Sequence, residues 1–296
     1  MAKGFKKMNI NRSLEVVGKL WKMGIGMSKR EVMERFGGRT PYVHSYSTFN
    51  RYMGIVKEFA NYVRENYGVN RIDKIKIEHV DTFLNEKIAK GYSEKTLKVN
   101  ASALEKYCQS IGREDLHKHL KENYHHYYGR ARAYVKTQPF SNPEKIITSL
   151  KDPAHRTIAE LQYRTGARLG DVKKIQINEE KKQVIIEKSK GGRDRIVDYS
   201  DRPEKFERVK ELKADLDKYL EERSWKEIRE TYPEELKKVA SMQGELYTGT
   251  HSFRVNYAQE RFKELTSQGL SPLQADKILT QELGHNRIEM SQYYRK

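Results

Sequence analysis

Apolar residues recur every three or four positions along almost all of this chain, and the period changes to that of strands only between residues 172 and 200. That single switch confines the architecture to helices, a small sheet, and helices again. Leu14, Val17, Leu20 and Trp21 share one helix face, and a second short helix at Ser28–Phe36 stops at Gly37-Gly38. Phe49, Tyr52, Ile55, Val56, Phe59 and Val63 then repeat at helical spacing up to Gly68. "KIEHVDTFLNEKIAKG" and "SEKTLKVNASALEKYCQSIG" add two helices, the latter opened by Ser93 and Glu94 in capping positions. Pro143–Leu150 and His155–Thr165 predict two more. "VKKIQI", "QVIIEK" and "RIVDYS" are rich in β-branched residues and read as strands, and from Pro203 the helical period returns to the end. The fold class expected is mainly α with a small antiparallel sheet (α+β).

Four segments follow. Residues 1–128 read as a compact all-helical unit, made of an added N-terminal helical element at 1–40 and a helical domain at 41–128. A basic, aromatic stretch at 129–141 reads as the linker, and 142–296 as the second unit. The chain carries 58 Lys and Arg against 41 Asp and Glu, a net charge of +17 spread along its length. Such an excess attracts a long polyanion, and nucleic acid fits better than a membrane surface because no basic helix carries Trp or Phe anchors. No apolar run approaches the ~18 residues that span a bilayer, and none of signal-peptide type follows the charged start. The single Cys108 fits a reducing compartment, the cytoplasm, and a helix-face position. Histidines 117, 119, 125 and 126 match no metal-ligand spacing and are expected to be solvated or to face phosphate.

No Walker or dinucleotide loop, HExxH, paired-cysteine or Gly-x-Ser-x-Gly pattern is present. Four other pieces stand out: "TGARLGDV" with Arg168 and Asp171; the lysine-rich hairpin "EKSKGGRDR"; "THSFRVNYA" with His251 and Arg254 one helical turn apart; and "LGHNRIEMSQYY" with His285 and a tyrosine pair. Each alone is a weak signal. An arginine near a carboxylate is most often a structural ion pair, and His-x-x-Arg arises by chance in basic chains.

Together and in this order, the four pieces resemble the tyrosine recombinase (phage integrase) family, whose motifs read Thr-Gly-x-Arg, a hairpin lysine, His-x-x-Arg, and Leu-Gly-His followed nine residues on by a tyrosine. The matching positions are Arg168, Lys190, His251, Arg254, His285 and Tyr294, with Asp171 where the family has an acidic residue. The resemblance is close over about 143–296 and one of pattern over 41–128, where "GYSEKTL" lies in what would be the helical core-binding domain. It does not reach residues 1–40.

The resemblance implies a recombinase-type catalytic domain that opens a DNA strand through a 3′-phosphotyrosyl link. Arg168 and Arg254 would neutralise the charge of a five-coordinate phosphate, His251 would take the proton of the Tyr294 phenol, and Lys190 would protonate the leaving 5′ oxygen. His285 would hydrogen-bond the phosphate or the tyrosine, and Asp171 would hold Arg168 or a helix start. Lys188, two residues away on the same presumed strand face, is the rival to Lys190. Ile288 and Gln292 set the register on Tyr294, leaving Tyr293 to pack the last helix on the core.

Neither metal nor other cofactor is implied. The partners implied are a specific site in double-stranded DNA held in a C-shaped clamp, a homotetramer on two duplexes, and an accessory DNA-bending protein. Family members continue past the tyrosine into a helix that docks on a neighbour. Here Arg295 and Lys296 follow, so either the sequence is shortened or coupling uses another element, such as residues 1–40 or the tyrosine segment itself. A type IB topoisomerase and a non-catalytic DNA-binding protein on the same scaffold remain as alternative functions.

Overall fold

Serine and asparagine side chains set most of the helix starts. The computed structural model describes residues 8–38, 40–189, 192–285 and 287–295. Asn9 caps α1 (Ile10–Lys22), Ser28 caps α2 (Lys29–Arg35) and Ser45 caps α3 (Tyr46–Tyr67), each accepting from a first-turn N–H. After α4 (Ile77–Ala89), Ser93 caps α5 (Glu94–Ser110), and α6 (Glu114–Tyr128) follows. One apolar core gathers these helices. Ile10, Leu14, Val17 and Trp21 of α1 enter it beside Val56, Phe59 and Val63 of α3 and Leu104 and Tyr107 of α5. Trp21 donates through Nε1 to Ser110 Oγ at 3.0 Å, and Ser13 Oγ lies 2.6 Å from Tyr107 Oη. The added N-terminal element therefore shares the core of its neighbour through α1.

The chain divides between Tyr134 and Val135. The stretch 129–141 is accordingly split between the two units. The Arg132 carbonyl accepts from Glu94 N–H at 2.9 Å, while Phe140 is buried in the second core, where its N–H meets Asn256 Oδ1 at 3.0 Å.

In the second unit, Asn142 and Asp152 cap α7 (Pro143–Ser149) and α8 (Pro153–Thr165), each with proline in the first turn. Three four-residue strands, β1 (Ile175–Asn178), β2 (Gln183–Ile186) and β3 (Arg195–Asp198), form an antiparallel sheet in that order, with Ile186 opposite both Ile175 and Arg195. The helices α9 (Pro203–Glu222), α10 (Trp225–Met242), α11 (Ser252–Ser267), α12 (Pro272–Glu282) and α13 (Ile288–Arg295) complete it. β2 ends at Ile186, so Lys188 stands beyond the strand, with a left-handed backbone (φ 41°), and not on the strand face expected from sequence.

Two of the four histidines of α6 depart from expectation, while His125 and His126 are exposed as expected. His117 is buried, and His119 Nε2 lies 2.7 Å from Asp81 Oδ1, so both are packed and not solvated. Among the described residues no cluster of His, Cys, Asp or Glu could hold a metal ion, and no helix is long and apolar enough to cross a membrane.

Candidate active site

The site forms where two helices end in left-handed glycines. Gly166 (φ 62°) closes α8 and lets the chain turn so that Arg168 stands two residues on. A Cβ at 166 would sit 2.6 Å from Tyr257 and 3.1 Å from Leu283, so only glycine fits against α11 here. Gly284 (φ 62°) follows α12 in the same way and presents His285.

Arg168 is partly buried and is held from one side. Its Nη1 donates to Ser189 Oγ at 3.2 Å, and that hydroxyl donates to Asp171 Oδ2 at 2.8 Å. Asp171 lies 3.7 Å from Arg168 Nη1 and 3.4 Å from Lys174 Nζ, and Lys174 in turn donates to the Lys188 carbonyl at 2.8 Å. A buried carboxylate so paired positions its neighbours and leaves no geometry for acid catalysis.

His251 precedes α11, and its Nε2 stands 2.8 Å from the phenol oxygen of Tyr294. One turn on, Arg254 is fully buried and donates to the carbonyls of Gly166 and, at 2.5 Å, Leu283, the two helix ends just described. Burial, then the charges of Arg195 and Arg168, push its ionisation below the ordinary arginine value. Its Nη2 is also 3.2 Å from His285 Nε2. A guanidinium only donates, so that ring nitrogen is the acceptor and the proton of His285 sits on Nδ1. Burial, then Arg254, Arg168, Arg195 and His251, push His285 down to about 3, which keeps the imidazole neutral. The ring stacks on Tyr294 at 5.3 Å between centroids and 24° between planes.

Tyr294 reaches this position because α13 docks on α12. Thr280 Oγ1 meets Ser291 Oγ at 2.8 Å, and Gln292 Nε2 donates to Asp276 Oδ2 at 3.3 Å. A pocket of about 1160 Å³ opens here, with Arg168, Arg195, His251, His285, Arg287 and Tyr294 in its lining. Forked guanidinium donors beside a phenol and two imidazoles make a cradle for an anion with several oxygens, such as a phosphodiester.

Residues 42–115 match the family model of the phage integrase N-terminal SAM-like domain. No curated protein matches the chain by sequence. Solved structures share its fold. A lambda integrase dimer bound to a COC′ core site aligns with a TM-score of 0.65 at 17% identity, covering 98% of this chain and 78% of the other. A lambda integrase tetramer bound to a Holliday junction gives 0.62 at 17% identity, with the same coverages of 98% and 78%. The Tn1549 transposon integrase in complex with transposon right-end DNA gives 0.59 at 13% identity, covering 98% and 95%. Residues 42–115 thus carry the sequence pattern of the phage integrase N-terminal domain, and the chain as a whole shares the fold of these integrases.

Of the residues read from sequence, the fold brings Arg168, Asp171, His251, Arg254, His285 and Tyr294 together around one pocket or its immediate supports. Lys190 lies outside the described residues. The tyrosine pair divides as its register requires but not as its packing was expected. Tyr294 is buried in the core, whereas Tyr293 is 41% exposed with Lys136 Nζ over its ring at 4.2 Å, so it does not pack the helix on the core. Sequence reasoning missed Ser189, whose only signal was its place beside the hairpin lysine, and Arg195, which looked like one more charge on a strand.

Proposed function

We propose that this chain is a site-specific DNA recombinase that cuts and rejoins strands through Tyr294. The observation that carries the reading is the 2.8 Å approach of His251 Nε2 to the Tyr294 phenol at the edge of an arginine-lined pocket. Free tyrosine titrates near ~10, so attack at neutral pH needs a base within hydrogen-bond reach, and His251 with its own proton on Nδ1 is that base. Tyr294 Oη attacks the scissile phosphorus, the phosphorus–O5′ bond breaks, and the phosphate remains on the DNA 3′ end as a tyrosine ester. The phenol proton passes to His251, and the departing 5′ oxygen takes a proton from Lys190. Rejoining reverses the step: a 5′ hydroxyl attacks the ester and frees the phenol.

Arg168 in the pocket lining and Arg254, buried against His285, would offset the charge that grows on the nonbridging oxygens, and Nδ1–H of His285 adds a neutral donor. These groups bring the positive charge that a divalent ion brings in two-metal nucleases, and the ester conserves the bond energy, so the reaction is proposed to need neither metal nor ATP. The likeness to integrases solved on DNA, one of them as a tetramer on a Holliday junction, supports a homotetramer acting on two duplexes in the cytoplasm.

The test is covalent trapping. Duplexes selected by the full chain from a random pool are nicked beside the cleavage position, incubated in excess chelator, and run on a denaturing gel. Wild type and Tyr293→Phe are expected to form an adduct, and Tyr294→Phe to bind without forming one. Tight binding with no adduct from wild type would leave a DNA-binding protein on a recombinase scaffold. Relaxation of supercoiled DNA irrespective of sequence would favour the topoisomerase reading.

A further inference from the structure

β3 departs in its first two residues from the usual pattern of a half-buried strand. Its inward positions are Arg195 and Val197, while Ile196 between them is 50% exposed. A guanidinium thus occupies a core position, and an isoleucine that could fill it faces outward. The arginine is only 2% exposed. Its Nε donates to the Glu282 carbonyl at 2.9 Å, and its Nη2 donates to that same carbonyl and to the Thr165 carbonyl at 3.3 Å. Its Nη1 is buried and has no hydrogen-bond partner among the described residues.

The two carbonyls are the informative part. Thr165 ends the helix that leads through Gly166 to Arg168, and Glu282 ends the helix that leads through Gly284 to His285. One planar fork therefore spans the two turns that deliver an arginine and a histidine to the pocket. Gly284 is shaped around it: a Cβ there would fall 2.6 Å from Arg195 Cδ and 2.7 Å from Cγ. The requirement for glycine in the Leu-Gly-His turn comes from this packing as well as from its positive φ.

A purely structural tie between two neutral carbonyls would be served by a neutral donor. Burying a cation without a hydrogen-bonded carboxylate is costly, and three guanidiniums crowd here. Burial and then Arg168 push Arg195 down to about 10, and Arg195 in turn disfavours the charge on Arg254. Asp171 and Glu282 offset part of this repulsion, and an anion in the pocket would offset more of it.

We propose that Arg195 is a positioning residue for the phosphate chemistry, which fixes the spacing of Arg168 and His285 about the scissile phosphate and adds positive potential behind them. The inference rests on the strand-cleavage reading above.

The test uses the full chain and the nicked duplexes already described. Adduct formation is followed in single turnover at saturating protein, the Kd for the same duplex is measured separately, and folding is monitored by circular dichroism. Arg195→Lys keeps the charge but not the fork, and Arg195→Gln keeps a donor but not the charge. Both are expected to slow adduct formation by 100-fold or more, with Kd within threefold of wild type. Gly284→Ala, which leaves Arg195 in place but pushes a methyl into it, should slow the same step, and should slow it less in an Arg195→Ala background where that space is empty. Arg195→Lys within threefold of wild type would overturn the proposal. So would a parallel fall in rate and affinity, or an Arg195→Lys chain that does not fold, since either makes the residue a support of the fold. A wild type that forms no adduct removes the cleavage reading and this inference with it, whereas a wild type that reacts beside an equally fast Arg195→Lys removes the inference alone.

Discussion

The cores of the two units hold different chemistry. The first, around Trp21, Phe59, Leu104 and Tyr107, is apolar, and its buried polar groups are mostly neutral pairs such as Ser13 with Tyr107. Its buried lysine, Lys87, pairs with Glu58. The second buries Arg195, Arg254 and Arg261 together with Asp171 and Glu282. Some of these are conventional: Arg261 Nε meets Glu282 Oε1 at 3.1 Å, and Tyr257 Oη donates to Glu282 Oε2 at 2.7 Å. Arg254 and Arg195 are not, because their hydrogen bonds among the described residues go to main-chain carbonyls and a histidine nitrogen. A core built for stability alone avoids such groups. The contrast separates residues kept for packing from residues kept for chemistry, and each prediction below presses on it.

The largest effect is expected at Arg168. Its side chain is held through Ser189 and Asp171 and remains partly exposed in the pocket, so Arg168→Ala removes charge from the site without opening the core. Adduct formation should fall about 10³-fold, with the melting temperature little changed. A near-normal rate would break the argument that the second core holds its charges for a phosphate.

Trp21→Ala presses on the other side of the contrast. The indole is fully buried and hydrogen-bonded to Ser110, and its loss should destabilise the first unit by about 3–5 kcal/mol. Calorimetry should show the transition of the first unit move while that of the second stays. A loss under about 1 kcal/mol would mean that α1 is an appendage and not part of that core.

A third experiment sharpens the comparison through pH. Unfolded histidine titrates near ~6.5, whereas His285 in the fold is pushed down to about 3, chiefly by burial and next by Arg254. The unfolded chain therefore takes up the proton first as pH falls. Stability from the neutral imidazole is present above about 6.5 and is lost progressively as pH drops toward 3. The melting temperature of wild type relative to His285→Gln should decline from pH 7 to pH 4. A constant difference would place His285 in an ordinary environment and weaken the case for a cationic pocket around it.

What could be read in advance follows the same division. Helix periodicity and serine caps exposed the elements of both units, because those signals are local in sequence. Arg168, His251, Arg254, His285 and Tyr294 could be named from their order, and the resemblance that order carries already paired His251 with Tyr294, forty-three positions away. Arg195 was invisible for a physical reason. Its significance lies in facing inward, and a four-residue strand carries too few positions for period two to reveal that. His119 was misread because its partner, Asp81, arrives from another helix. The inward face of Tyr294 and outward face of Tyr293 were likewise hidden, since adjacent helical residues differ by about 100° and an eight-residue helix leaves either choice open.

The smallest predicted effect isolates that last point. Tyr293 and Tyr294 meet edge to face at 5.9 Å and 89°, so one ring can be altered beside an intact nucleophile. Tyr293→Phe keeps the aromatic face under the Lys136 ammonium, and exposed cation–π contacts of this kind contribute about 0.5–1 kcal/mol. Stability should therefore shift by less than about 1 kcal/mol and the adduct rate by less than about twofold. Tyr293→Leu removes the face as well, and any loosening of α13 should then appear as a slower adduct with unchanged DNA affinity. If Tyr293→Phe abolished the adduct while Tyr294→Phe retained it, the buried phenol beside His251 would be a packing residue. The exposed tyrosine would then be the nucleophile, and the link between buried polar groups and chemistry would fail at the residue where it matters most.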